Sequence, residues 1–347
     1  MASINPVGQS AAAAGDIGSV TLSGSTLTIT GSEKNDKVSL SKVNDDLVVS
    51  LTSNGTSKSY KFRASKVDMI DINTKGGDDT VSIGKGVTAN RIDTGKGNDV
   101  VVNSGTLGYG FGEPGWINTG EGNDYVVNYG SVKNWVDTGS GNDIVNNKAN
   151  GSIGMVDTGS GDDTVYNAGN VEYDFGFGQI LTGDGNDKVY NFGTGSADKI
   201  DTGKGDDLIN NMGTVNGAIS RLGTIDAGDG DDTVINIGRT GSIRTGNGND
   251  TVMNNGNSDV ICTDAGNDKV YNSGSANFIL TGNGNDLVSN AASGVIKIVD
   301  LGSGTDKLVN KGRIRADNID RKTDPTIELV KPEKEGVLKN ATRKLGL

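Results

Sequence analysis

The sequence predicts an all-β fold, a parallel β-helix (β-solenoid) of about 12 coils with an N-terminal antiparallel β cap. Three observations carry that expectation. A twelve-residue sentence, Ile-Asp-Thr-Gly-Lys-Gly-Asn-Asp-Val-Val-Val-Asn at positions 92–103, recurs with edits between positions 72 and 310. Its last acidic residue marks twelve copies, Asp79, Asp99, Asp124, Asp143, Asp163, Asp187, Asp207, Asp232, Asp250, Asp268, Asp286 and Asp306, spaced 18 to 25 residues apart. Two apolar columns run through all twelve, one from Ile72 to Val299 and one from Val81 to Leu308. Both are dominated by β-branched residues, which favour strand over helix. A period near 20 residues is that of a stack in which each repeat buries its apolar side against its neighbours.

The elements follow in chain order. Residues 1–18 are a Ser/Ala/Gly/Asn/Gln leader without periodicity and read as disordered. Residues 19–66 read as a β cap of two to four strands, because Val20-Thr-Leu22, Leu27-Thr-Ile29, Val38-Ser-Leu40 and Leu47-Val-Val49 alternate with period two between Gly, Asn and Ser turns. Within it, Gly31-Ser-Glu-Lys-Asn35-Asp36 looks like a degenerate copy of the repeat. Residues 67–315 read as the solenoid, about 55 Å long at ~4.8 Å per coil. Residues 316–347 lose the pattern and read as a C-terminal cap or tail.

Composition agrees and narrows the function. Only 33% of residues are hydrophobic, enough for a narrow coil interior, and the 55 glycines sit at fixed repeat positions. The formal charge is -12 with no His; residues 311–347 carry ten Lys/Arg against six Asp/Glu, which leaves the first 310 near -16. Such a body repels nucleic acid and anionic membrane and attracts cations. The single cysteine, Cys262, excludes an internal disulfide. No apolar run reaches membrane-spanning length, and the start lacks the charged and apolar regions of a Sec signal.

Four residues after the motif Asp stands Asn in eleven of the twelve copies, from Asn103 to Asn310, with Ile83 the exception. Its spacing from the inward Val turns it inward at a corner, where a buried amide must be hydrogen-bonded. The row is similar to the asparagine ladder of parallel β-helix proteins, and its role reads as structural.

Chemistry concentrates between the two columns, in Thr-Gly-x-Gly-Asn/Asp-Asp. The glycine pair permits a tight turn with positive φ. The final Asp does not vary among the copies, and stacking such turns places carboxylates one strand spacing apart. Each like-charged neighbour pair costs roughly 0.8 kcal/mol even in water's dielectric, and more when partly buried. Hard oxygen donors without His or Cys specify Ca²⁺ rather than zinc or copper. The bland alternative is that Gly-Asn-Asp is good turn chemistry with no metal needed.

The segments Thr94-Gly-Lys-Gly-Asn-Asp99-Val-Val101, Thr138-Gly-Ser-Gly-Asn-Asp143-Ile-Val145 and Thr281-Gly-Asn-Gly-Asn-Asp286-Leu-Val288 resemble the repeats-in-toxin (RTX, haemolysin-type) calcium-binding nonapeptide. The resemblance covers residues 72–310. It implies Ca²⁺ between stacked turns, held by backbone carbonyls and by the twelve Asp named above, and export without a Sec signal. The chain departs from the family in having Thr for the first Gly in ten copies, and one motif per coil rather than two, so a single row of at most eleven sites is expected. The turns at Asp79, Asp268 and Asp306 deviate most. Eleven bound ions would add about +22 to a chain of -12, so partial occupancy, strongest from Asp99 to Asp250, is expected.

Three longer coils carry insertions, expected on the second-turn side and three coils apart; two are aromatic, with Tyr109, Phe111 and Trp116 in one and Phe175 and Phe177 in the other. They read either as a glycan- or host-protein-binding face or as loops that bury their own rings. The chain also resembles ice-binding calcium solenoids, but its outward turn row, including Lys96, Glu121, Asp184 and Lys204, is charged and irregular and cannot present an ice-matching array. The expectation is therefore a secreted, non-enzymatic Ca²⁺-binding solenoid that folds on binding calcium, exported by a type I or type III route, in the manner of a secreted virulence effector. The alternatives are an extracellular adhesin or scaffold and a polysaccharide lyase- or epimerase-like β-helix enzyme, the latter weakened by the absence of His.

Overall fold

The computed structural model describes residues 17–108, 113–172, 178–216, 223–314 and 328–329. The chain winds through eleven full turns as a parallel β-solenoid with two long sheets facing one another across a narrow core. One, the valine sheet, stacks four-residue strands such as Val100–Asn103, Tyr125–Asn128 and Ile144–Asn147, paired parallel so that Val81, Val101, Val126 and Val145 stand in register. The other, the isoleucine sheet, aligns Ile72, Ile92, Ile117 and Val136 in the same way. These columns are fully buried and form one continuous core cluster.

A third inward column belongs to the isoleucine sheet: Ala89, Leu107, Val132, Ile153, Val171, Ala197 and Val215, then Thr240, Ser258, Ala276 and Ile296. Mixed size and polarity hide it from a periodicity reading. It also locates the insertions. Each leaves and rejoins within the isoleucine strand, between Leu107 and Trp116, Val171 and Gln179, and Val215 and Thr224, rather than at the second turn. The first two are three coils apart, the last two only two. A Cβ on Gly115 would lie 2.1 Å from the Leu107 carbonyl carbon, so the two ends of that insertion pinch together where no side chain fits.

Among the described residues, the N-terminal part contains five strands. Ser19–Ser23 and Thr26–Thr30 form one antiparallel pair, and Asp36–Val43, Asp46–Ser53 and Thr56–Arg63 form an antiparallel meander. Thr26–Thr30 and Asp36–Val43 also pair in parallel with Met69–Asn73 and Thr80–Ile83, so they begin both sheets. At the other end, Glu328–Leu329 pairs with Lys307 and Leu308 on the valine sheet.

Candidate metal column

Each valine strand is entered through the repeated turn. Both motif glycines take positive φ, +94° at Gly95 and +131° at Gly97, and a Cβ on Gly122 would lie 1.9 Å from the Gly97 carbonyl oxygen. Glycine is therefore required by conformation and by the closeness of the coil below. The turns bond to one another along the axis, with the Lys96 N–H donating to the Lys75 carbonyl and the Gly97 N–H to the Glu121 carbonyl. In the two turns with a displaced or missing glycine, Lys75 and Asp264 adopt the left-handed conformation themselves, at φ 77° and 60°, and the turn keeps its path.

The next two residues build side-chain ladders in opposite axial directions. The Asn98 N–H donates to Asp78 Oδ1 of the preceding coil, and the same bond joins exposed Asn, Asp or Thr positions up to Thr305 at 2.6–3.0 Å. The Asp99 N–H points the other way and donates to Asp124 Oδ1 of the following coil. All twelve sequence-identified carboxylates accept such a bond, at 2.7–2.9 Å, from Asp79, which takes the Asp36 N–H, to Asp306, which takes the Asp286 N–H. The stack thus brings all twelve Asp into one buried column, each at most 3% exposed.

One oxygen of each Asp thereby has a structural partner; the other does not. From Asp79 to Asp286, all eleven Oδ2 atoms are buried with no hydrogen-bond partner. The adjacent Thr94 hydroxyl gives its single proton to the Thr119 carbonyl at 3.3 Å, and Thr119, Thr138, Thr158 and Thr182 do the same, so these cannot also satisfy their carboxylates; Thr245 beside Asp250 makes no such bond, and Ala227 brings no hydroxyl to Asp232. The Gly97 carbonyl, and the second-glycine carbonyls from Gly122 to Gly284, also accept no hydrogen bond among the described residues. Burial raises the carboxyl pKa values: to about 8 at Asp232, about 7 at Asp79, Asp163 and Asp207, and about 6 at Asp99, Asp143 and Asp268. Neighbouring carboxylates add to the shift, while the preceding coil's N–H, bonded to Oδ1, opposes it. Asp124, Asp187, Asp250 and Asp286 are also raised, first by burial.

This donor set fits a hard divalent cation. It is all oxygen, combines a buried unpartnered carboxylate oxygen with unpartnered carbonyls, and repeats coil by coil. Among the described residues no three His, Cys, Asp or Glu side chains converge, so an ion here would draw on carbonyl oxygen as well as carboxylate.

Two features were not assigned from sequence. Asp36 extends the column by one coil: it is buried, but its Oδ2 accepts the Ser32 N–H at 2.5 Å, so the cap closes the column with its own backbone. Its signal was the Asn35-Asp36 pair. The second feature is the outer Asn/Asp ladder, which gives the residue before each motif Asp a structural task. The asparagine corner forms as the sequence indicates: each Asn Nδ2 donates to the next Asn Oδ1 at 2.8–2.9 Å from Asn103 to Asn310.

Of the aromatic loop residues, Trp116 stacks on Trp135 outside the isoleucine sheet, with ring centres 6.5 Å apart and planes at 13°. Tyr109, Phe111, Phe175 and Phe177 lie outside the described residues. The outward turn row pairs Lys96 with Glu121 and Lys204 with Asp184, so it is charged and irregular in three dimensions too.

Fold and column together define a parallel β-solenoid with one buried carboxylate per coil. No family model and no curated protein matches the chain. Among solved structures, it aligns with the X-ray crystal structure of a hyperactive, Ca²⁺-dependent, β-helical antifreeze protein from an Antarctic bacterium, over 80% of this chain and 84% of that one, with 21% identity and a TM-score of 0.45. Among the described residues, no helix is long and apolar enough to cross a membrane.

Proposed function

We propose that this chain is a non-enzymatic calcium-binding solenoid that is exported and completes its folding when Ca²⁺ enters the turn column. The observation that carries the reading is the run of eleven buried Oδ2 atoms without partners from Asp79 to Asp286. A buried carboxylate without compensation either neutralises itself by taking a proton or recruits a cation. Asp79, Asp99, Asp124, Asp143, Asp163, Asp187, Asp207, Asp232, Asp250, Asp268, Asp286 and Asp306 are the proposed ligands, with motif carbonyls completing the shell. Calcium would supply positive charge between coils that otherwise repel, and its binding free energy would become folding free energy. Low calcium before export keeps the coils loose in this scheme, and higher calcium outside closes them. Occupancy is strongest from Asp99 to Asp250.

A calcium titration followed by circular dichroism, with chelator reversal, tests the proposal. The expected result is a gain of β signal and a melting temperature that rises with calcium and falls with chelator. A β-rich spectrum and melting temperature that chelator leaves unmoved would overturn it.

A further inference from the structure

The outer surface of the valine sheet differs from the rest of this acidic molecule. Its outward positions form three rows: the first, third and fifth residues after each motif Asp. From Thr80 to Lys311 these rows contain no Asp or Glu, in a chain that has 44 of them. The middle row is uncharged throughout and includes Val102, Val127, Tyr166, Tyr190, Ile235 and Met253. Val127, Ile235 and Met253 are 4–6% exposed yet lie outside the core cluster; Val127 stands in register between Val102 and Asn146, and Ile235 between Asn210 and Met253. In the flanking rows Tyr125, Tyr129, Ile144 and Ile237 are 37–50% exposed. Lysines at positions 148, 188, 269, 307 and 311 also stand only in these flanking rows.

We infer that this face is a docking surface for a second copy of the chain, two valine sheets packing face to face in a homodimer. An uncharged, largely apolar centre, interrupted here by Ser82, Asn146, Asn210 and Ser289, with a polar rim is the anatomy of a protein–protein interface. Two sheets can pack at about 10 Å with their side chains interleaved. Strands about 13 Å wide stacked over about 50 Å present roughly 650 Å² per copy, or about 1,300 Å² in all, within the range of stable interfaces. Charge permits the same geometry: the joined faces bring no carboxylates together, and their lysines stand only in the flanking rows. The aromatic rings disfavour a sugar ligand. Tyr166 stacks on Tyr190 with centres 5.2 Å apart and on Phe192 at 6.3 Å, so ring faces are turned to each other along the axis instead of outward.

Sedimentation equilibrium of the full chain, under conditions where circular dichroism shows it β-rich, tests the inference. The wild type should sediment at about twice its 35.6 kDa. Tyr129→Lys with Ile237→Lys, both at half-exposed rim positions, should give a folded monomer. Tyr190→Ser, which adds no charge, should raise the dimer dissociation constant about tenfold or more. Phe278→Lys, an exposed position on the isoleucine sheet, should leave the dimer intact. A β-rich wild type that stays monomeric at its highest soluble concentration overturns the inference, as does a dimer that survives the valine-sheet changes. A monomer whose face instead captures polysaccharide or lipid vesicles also overturns it. The dimer is expected in calcium or chelator alike wherever the chain is folded, so failure of the calcium titration leaves it standing.

Discussion

At the scale of single residues, the repeat assigns separate physical tasks to neighbours. Asn167 is fully buried; its Oδ1 accepts from Asn147, and its Nδ2 donates to Asn191 and to the Ser196 carbonyl. Asn167→Ala therefore strands polar groups above and below, and should cost about 2–4 kcal/mol, measured by denaturant unfolding in saturating calcium. Gly122→Ala should be at least as damaging, about 3 kcal/mol or more, because the new Cβ meets the Gly97 carbonyl oxygen in a backbone already at φ +135°. Both the Asn row and the glycine pair were legible in the sequence, since each occupies a fixed offset with one residue type. The second ladder was not. Asp78 Oδ1 accepts the Asn98 N–H and Asn98 Oδ1 accepts the equivalent N–H of the following coil, at Asn123, so the alternation of Asn with Asp that looks like drift is a single hydrogen-bonding function performed by two side chains.

At the scale of the element, the carboxylate column predicts opposite pH responses with and without calcium. The folded pKa values of its Asp lie above the usual 3.8, at about 6 to 8 where they are largest. A raised Asp pKa means the folded state binds protons more tightly than the unfolded one. The stabilising contribution is then full below about pH 4 and is lost as pH rises through 6 to 8. In chelator, the melting temperature should fall between pH 5 and pH 8, over a broad range because the coupled carboxylates titrate as a group. In excess calcium, binding competes with protons and strengthens as the Asp ionise, so the gap between calcium and chelator curves should widen toward pH 8. Parallel curves would count against cation binding at this column. As for legibility, the Ile and Val columns were plain because every copy repeats them without insertion. The third column was not, because insertions change its sequence offset and its members range from Leu107 to Ser258. The same blindness set the aromatic insertions at a turn, where the chain opens them from within a strand.

At the scale of the whole molecule, a solenoid of in-register parallel strands has two ends, each a template for further stacking. The N-terminal end is closed in three ways. Ser19–Ser23 turns the first isoleucine-sheet strand back in an antiparallel pair, the meander does the same for the valine sheet, and its outermost strand, Thr56–Arg63, places Lys58, Lys61 and Arg63 on the edge. Antiparallel strands with basic side chains cannot continue a parallel acidic stack in register. The column is closed at the same level, where Ser32 supplies the partner that Asp36 Oδ2 would otherwise lack. Deleting residues 1–66 should therefore leave Met69–Asn73 and Thr80–Ile83 open, with the Asp79 carboxylate deprived of the Asp36 N–H. The expected outcome in calcium is end-to-end association into rods of graded length, seen by electron microscopy and as a rise in light scattering. Rods should be fewest in chelator, where carboxylates meeting across the new junction repel without a cation between them. A truncated chain that remains monodisperse and fully β-rich in calcium would show that the five N-terminal strands are not what limits growth of the stack.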